Sequence, residues 1–246
     1  LGGGVRYGVP ITEYDDVRFG FAYEDTDITS NASSGRLFDF MQLYGTSTVT
    51  YLSTLGWSRD KRDSFIYPTD GVYQKLGGEV SVPLGDISFY RISYRRNWLE
   101  PISDEVTLNF DGNFAYADGY NGDILPYYKY YYVGGVNSVR GFRSSSIGPK
   151  DSDGFSLGGN YKWVFSTELL MPLPNSNTKE MRLALFLDQG YVGDELRFDE
   201  KARASTGLSI NWYSVIGPLK LVFAKPLNAN NFDKTEMIQF SLGTMF

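Results

Sequence analysis

The feature that most limits how this 246-residue chain can fold is a period-two alternation of apolar and polar residues, which recurs in eleven segments. Successive side chains of a β-strand point to opposite faces, so this period indicates strands with one apolar and one polar face. In the clearest segment, 104–116, Val106, Leu108 and Phe110 alternate with polar residues. The alternation predicts an all-β fold. The other ten segments are 1–9, 16–28, 45–59, 72–82, 87–98, 156–171, 181–191, 202–212, 218–226 (apolar on both faces) and 236–246.

The length of these segments separates a membrane barrel from a soluble β-sandwich. Most run for about 9–12 residues, the length of a tilted strand that crosses a bilayer, whereas strands of globular proteins usually have about 5–6. Tyrosine and tryptophan recur near the segment ends, as in the aromatic girdles of membrane barrels. A mean hydropathy of −0.28 is compatible with this, because only every second residue of a barrel strand faces lipid. We therefore predict an antiparallel transmembrane β-barrel, with a soluble sandwich as the less favoured alternative.

Two residue types that serve many active sites are missing, because the chain has no cysteine and no histidine. Disulfides, thiolate or imidazole metal sites and imidazole catalysis are thereby excluded. The sequence also lacks a Gly-x-Ser-x-Gly motif, and its net charge of −6 is spread along the chain without a basic stripe. We expect neither an enzyme nor a nucleic-acid-binding protein, and no metal or cofactor.

The connections between the segments alternate between short and long. Those at 10–15 and 99–101 are short, whereas those at 29–44 and 117–155 are long. Bacterial barrels have short periplasmic turns, longer outer loops and an even number of strands. Eleven is an odd number, and a sheet with open edges is not tolerated in lipid. We therefore expect residues 1–246 to form one partial barrel domain that continues N-terminally, with periplasmic domains further upstream.

The connection 117–155 carries the most distinctive motif. Its length of about 40 residues is unusual, and loops this long are often functional. Its middle reads Val139-Arg140-Gly141-Phe142, preceded by Gly134-Gly135. Together with Tyr67-Pro68-Thr69-Asp70-Gly71 and Gly217-Pro218-Leu219, this pattern resembles the BamA-type family of outer-membrane assembly factors. The resemblance extends over the whole chain.

The resemblance implies a barrel of about 16 strands, of which this chain supplies the last eleven, with the long loop folded into the lumen. It also implies that Arg140 pairs with acidic residues on the inner wall, at the positions of Glu168 and Asp188. Parity independently places both carboxylates on the polar faces of adjacent strands, where a guanidinium can bind them bidentately.

Two apolar neighbours and a glycine favour the same placement of the loop. We expect Val139 and Phe142 to pack against the barrel wall, while Gly141 permits a tight bend between them. From the residues alone, a solvated loop charge is the simpler interpretation of Arg140. The family pattern favours a structural clamp without a catalytic role.

The resemblance further implies a function, which is the insertion and folding of other β-barrels in the bacterial outer membrane without nucleotide hydrolysis. Such a protein needs a seam whose strand edge can template an incoming strand, and the last segment is predicted to close it. The expected partners are unfolded outer-membrane proteins, accessory assembly lipoproteins and outer-membrane lipid. A TamA-like assembly protein, a two-partner secretion transporter and a passive channel are alternatives. The predicted seam residues are Ile238, Phe240, Leu242, Gly243 and Phe246.

Overall fold

All eleven predicted strands are present in the computed structural model, which describes residues 1–29, 35–152, 154–174, 181–199, 201–214 and 217–243. The strands form one sheet in chain order, and every neighbouring pair is antiparallel. The predicted all-β, antiparallel architecture is confirmed. The strand bounds are Gly2–Pro10 (β1), Asp15–Asp27 (β2), Ser47–Asp60 (β3), Gly71–Val82 (β4), Phe89–Pro101 (β5), Thr107–Gly119 (β6), Tyr161–Pro172 (β7), Met181–Gly193 (β8), Arg203–Ser214 (β9), Gly217–Pro226 (β10) and Ile238–Leu242 (β11).

The two faces of the sheet separate as the alternation predicts. On β8, Leu185 and Leu187 are exposed, whereas Phe186 and Asp188 beside them are buried beneath the connection from β6 to β7. The exposed apolar face is the one that a lipid bilayer would cover. Its large members include Val5, Phe19, Phe21, Leu55, Leu76, Val80, Ile92, Trp98, Phe110, Phe114, Phe165, Leu208, Trp212, Phe223 and Phe240.

Most strand boundaries differ by a few residues from those of the alternating segments, and the differences at β5, β7 and β11 have structural consequences. β5 continues through Pro101, where the sequence predicts a turn, because its last residues still pair with β6. β7 begins only at Tyr161, since the chain before it bridges back to the connection, as Gly159 does to Tyr131. β11 is described as Ile238–Leu242, and the predicted seam residue Phe246 lies outside the described residues.

A helix, α1, occupies a segment that the sequence analysis predicts to be only a loop. It spans Gly35–Tyr44 within residues 29–44, so the loop prediction is wrong there. The apolar residues recur at helical spacing and give the segment one apolar stripe. Phe40 on this stripe is fully buried against the rings of Tyr127 and Tyr128. Within the described ranges, no helix is long and apolar enough to cross a membrane. The stripe consists of Leu37, Phe40, Met41 and Tyr44.

The buried core lies between the inner face of the sheet and the connection from β6 to β7, residues 120–160, which we call the lumenal loop. One apolar cluster joins the first part of this loop to α1 and to the inner faces of β3, β5 and β6. A second cluster joins the middle of the loop to β7 and β8. The buried members of the first are Ile28, Phe40, Leu52, Ile87, Phe89, Ala117 and Leu125, and those of the second are Val133, Val139, Phe142, Ile147, Val164 and Val192.

Candidate functional site

The lumenal loop turns tightly at its glycines. Gly134, Gly135 and Gly141 have φ angles of +111°, +102° and +85°, a region that side chains with a Cβ rarely adopt. A Cβ on Gly134 would lie 2.5 Å from the backbone oxygen of Arg143. The paired glycines therefore let the chain double back on itself, and the antiparallel bridge between Val133 and Ile147 closes the resulting hairpin.

The apolar residues of the Val-Arg-Gly-Phe motif fix this hairpin to the wall. Val139 and Phe142 are both fully buried, in the cluster that includes Val164 of β7 and Val192 of β8. Complete burial of two such side chains contributes about 1.5–3 kcal/mol each. Val139 and Phe142 flank Arg140 in the sequence, so the motif packs against the wall both before and after its arginine.

Arg140 reaches both predicted carboxylates. Its Nε donates to Asp188 Oδ2 at 2.7 Å, and its Nη2 donates to Asp188 Oδ1 at 2.6 Å. Its Nη1 donates to Glu168 Oε1 at 2.5 Å. The backbone N–H of Arg140 also donates to Asp188 Oδ2, at 3.0 Å. The guanidinium thus spans β7 and β8, and the paired geometry on Asp188 is the one that carboxylates offer to arginine.

Two further residues complete this arrangement and were not among the predicted site residues. Ser166 Oγ accepts a bond from Arg140 Nη2 at 2.9 Å and donates to Asp188 Oδ1 at 2.7 Å. The ring of Phe186 lies beneath the guanidinium, with its centroid 3.6 Å from Cζ of Arg140. Both follow from strand parity, because Ser166 and Phe186 share the inner face with the two carboxylates. We refer to Arg140, Ser166, Glu168, Phe186 and Asp188 as the Arg140 clamp.

The clamp is almost completely withdrawn from water. The side chain of Arg140 is 3% exposed, that of Asp188 0% and that of Glu168 12%. Burial alone lowers the pKa of the Arg140 guanidinium, but the two carboxylates outweigh it and raise that pKa above its ordinary value. Asn109 on β6 satisfies the remaining Glu168 oxygen, with its Nδ2 2.9 Å from Oε2. Every oxygen of the two buried carboxylates therefore has a hydrogen-bond donor, which such burial requires.

A second cation of the loop binds a different part of the wall. Lys129 Nζ lies 3.2 Å from Glu24 Oε2 on β2 and 3.2 Å from Glu79 Oε1 on β4. Its ammonium is also 5.2 Å from the ring centroid of Phe89 on β5. The sequence analysis did not predict these ion pairs, because Lys129 lies in an aromatic run and its partners are distant in sequence. Parity could have suggested them, since Glu24 and Glu79 lie on the polar faces of their strands.

The four predicted seam residues that the structure describes lie elsewhere. Ile238, Phe240 and Leu242 are exposed on the outer face of β11, and Gly243 follows with a φ of +78°. β11 pairs with β10 over five residues, from Leu219↔Leu242 to Phe223↔Ile238, whereas β9 and β10 pair over ten. The structure thus brings Arg140, Glu168 and Asp188 together, but leaves these seam side chains facing away from the clamp.

Comparison with known proteins gives matches along the whole chain. The Omp85 superfamily domain matches residues 1–246. The outer membrane protein assembly factor BamA of Neisseria meningitidis serogroup B is 33% identical over 286 residues, covering 100% of this chain and 36% of that protein. A SAM50-like protein of Schizosaccharomyces pombe is 30% identical over 207 residues, covering 77% of this chain and 43% of that protein.

A solved structure has the same fold. BamA from Haemophilus ducreyi, in a crystal structure that lacks POTRA domains 1–3, matches with a TM-score of 0.90 and 24% identity, over 97% of this chain and 53% of that one. This likeness establishes the fold as that of the BamA β-barrel. The chain spans 36% of the length of the Neisseria meningitidis protein and 32% of that of a second BamA, from Nitratidesulfovibrio vulgaris. Because the family match includes every residue, the chain belongs to the Omp85 superfamily.

Proposed function

We propose that this chain is the C-terminal part of a barrel that inserts and folds other β-barrel proteins in the bacterial outer membrane. The observation that carries the proposal is the 33% identity, along the whole chain, to a protein named as an outer membrane protein assembly factor. Residues 1–246 form one barrel domain in this proposal, and the lumenal loop is the part of it that controls the seam. The proposed role includes no covalent chemistry and no cofactor.

The geometry of β11 supports an assembly role. Among the described strands β11 is the shortest, and its described residues pair with β10 over five positions. A strand edge with unpaired N–H and C=O groups can accept another strand by β-augmentation. The described residues of β11 pair with β10 over five positions, whereas β8 pairs with β7 over twelve and with β9 over ten, so displacing this part of β11 breaks fewer backbone bonds. An incoming barrel strand is the proposed substrate, and lipid and accessory assembly lipoproteins are the proposed surroundings.

The Arg140 clamp supports the same role by keeping the lumen closed. It ties the lumenal loop to β7 and β8 through a guanidinium that is almost fully buried. A loop fixed in this way obstructs the lumen, which an open diffusion channel would need to keep free. In this proposal the clamp keeps the lumenal loop bound to β7 and β8 while β11 separates from its neighbour and an incoming strand pairs in its place.

The test uses the full-length parent protein, reconstituted in liposomes with a urea-denatured outer-membrane protein as substrate. We expect the parent protein to accelerate folding of the substrate relative to empty liposomes. Replacement of Arg140 by alanine should reduce the acceleration, because the buried carboxylates of Glu168 and Asp188 lose their cation.

Arg197→Ala is the matched control for this test. Arg197 pairs with Glu195 and Asp199 on an exposed loop, so its loss removes the same charge at little cost. If the parent protein gave no acceleration but released a soluble cargo, the transporter alternative would replace the proposal. High ion conductance without acceleration would instead support the channel.

A further inference from the structure

The lumenal loop contacts β11 directly through one side chain. The backbone N–H of Gly141 donates to Gln239 Oε1 at 3.0 Å, and Gln239 Nε2 donates to the backbone oxygen of Phe142 at 2.8 Å. Gln239 is only 5% exposed and faces inward between the outward-facing Ile238 and Phe240. A single amide therefore satisfies both the donor and the acceptor of adjacent motif residues.

Met237, just before β11, still accepts a bond from Ala224 N–H of β10, whereas residues 234–236 before it pair with the loop. Phe142 and Thr235 form an antiparallel bridge, flanked by a bond from Arg143 N–H to Lys234 O at 2.7 Å and one from Glu236 N–H to Gly141 O at 2.9 Å. Residues 141–143 thus act as a short strand beside residues 234–236.

We propose that Gln239 is a positioning residue that couples the Val-Arg-Gly-Phe motif to the last strand. The Arg140 clamp fixes Arg140 to β7 and β8, and the next two residues hold β11 through Gln239. Displacement of β11 from β10 therefore also requires the contacts of Gly141 and Phe142 to break. The loop thus determines when the strand edge becomes available.

The bonds that hold the last strand to β10 and those that hold it to the loop support this coupling. β11 and β10 pair over five residues. The loop adds two bonds to the Gln239 side chain, two backbone bonds around Thr235 and one from Ser146 Oγ to Lys234 O, all close to the N-terminal end of the strand. Buried polar groups left unpaired are costly, and loss of the Gln239 amide leaves the Gly141 N–H without its acceptor, whereas the Phe142 oxygen keeps its bond from the Gly135 N–H at 3.0 Å.

Amide hydrogen exchange of the reconstituted parent protein tests the coupling without depending on assembly activity. In Gln239→Leu we expect the amides of β11 and of residues 141–143 to exchange about tenfold faster or more, as two hydrogen bonds are lost. Gln239→Glu should give an intermediate result, because it keeps the acceptor for Gly141 but loses the donor to Phe142. The matched control is Gln189→Leu, on the exposed face of β8. Equal exchange in Gln239→Leu and the control would overturn the coupling.

A covalent tether tests its role in assembly, and this part rests on the proposed function. Arg143 and Lys234 lie opposite each other beside the bridge and are both exposed, and the chain has no native cysteine. In the double variant Arg143→Cys, Lys234→Cys, a disulfide or a short thiol crosslinker should reduce acceleration of substrate folding at least tenfold, and reduction should restore it. An active tethered protein would overturn the coupling alone. If the untethered parent protein gave no acceleration, the proposed function would fail instead.

Discussion

Arg140 and Asp188 form a two-bond pair across 48 residues of sequence, with Nε 2.7 Å from Oδ2 and Nη2 2.6 Å from Oδ1. Asp188 is fully buried, so its charge depends on this pair, on Ser166 and on the Arg140 backbone N–H. The pair fixes the lumenal loop to β8 at one end, and Gln239 links the same motif to β11 at the other. The family motif is therefore a structural junction between the wall and the last strand.

Loss of the Arg140 guanidinium should destabilise the barrel strongly. Arg140→Ala removes the guanidinium that both carboxylates bind, and breaking a buried pair from one side costs about 3–5 kcal/mol. Arg140→Lys should restore only part of this, because an ammonium cannot reproduce the fork that binds both oxygens of Asp188. Urea unfolding of the reconstituted protein measures the free-energy change, with Arg197→Ala as the control. Equal stability of the lysine variant and the unaltered protein would contradict the bidentate account.

Loss of the Lys129 ammonium should release the first part of the lumenal loop while the Arg140 clamp stays in place. In Lys129→Met, Glu24 and Glu79 keep their charges but lose the cation between them. We expect chymotrypsin to cut about tenfold faster within the tyrosine run 127–132, since local opening no longer has to break two partly buried ion pairs. Lys201→Met, at an exposed position, is the control. Unchanged cleavage would mean that packing against α1 alone holds this segment.

The strands and their faces could be predicted from the sequence, because alternation is a local property that each strand carries by itself. The Arg140 pairs could be predicted as well, since parity placed Glu168 and Asp188 inward and the family pattern suggested the arginine. Lys129 and Gln239 were missed for a different reason. Their partners lie 105 and 98 residues away at Glu24 and Gly141, and only the folded path of the loop brings them together.

Helix α1 was missed because a short helix between two strands resembles a loop when the whole chain is read with period two. Its apolar residues do recur at helical spacing, and Phe40 is buried as this spacing predicts. The faces of β10 were left open because both are apolar. Val222 and Ala224 turned out to face inward, where the buried apolar surface of the loop replaces the polar lumen.

A methyl group at Gly141 should distort the motif even though it removes no hydrogen bond. The φ of Gly141 is +85°, and a Cβ there would lie 3.0 Å from Cβ of Ala224 on β10. We expect Gly141→Ala to cost about 1–3 kcal/mol from the backbone and more from the contact with Ala224. Unfolding in urea measures the loss. Gly154→Ala is a matched control, because Gly154 also has a positive φ, of +81°, but no atom would lie within 4 Å of its Cβ. A similar loss in both variants would show that the backbone angle matters and the contact with Ala224 does not.

The connection from β3 to β4 should depend on Arg182 of β8. Nη1 and Nη2 of Arg182 donate to the backbone oxygens of Pro68 and Tyr67 at 2.8 and 3.1 Å, and the ring of Tyr67 stacks edge-on against that of Tyr213 at 4.7 Å. Arg182→Leu removes both bonds and leaves two carbonyls unpaired, so this connection should open more often. Trypsin cleavage at Lys61, which lies in the connection, should become about tenfold faster.

The control for this experiment is Arg96→Leu, because Arg96 is exposed on β5 and its loss removes the same charge. Arg182→Lys should give an intermediate rate, since one ammonium can bond either carbonyl but cannot span both as the guanidinium does. If Arg182→Leu and Arg96→Leu were cleaved at the same rate, the edge-on contact of Tyr67 with Tyr213 would be sufficient to hold the connection. The bonds from Arg182 to the two carbonyls would then not stabilise the connection.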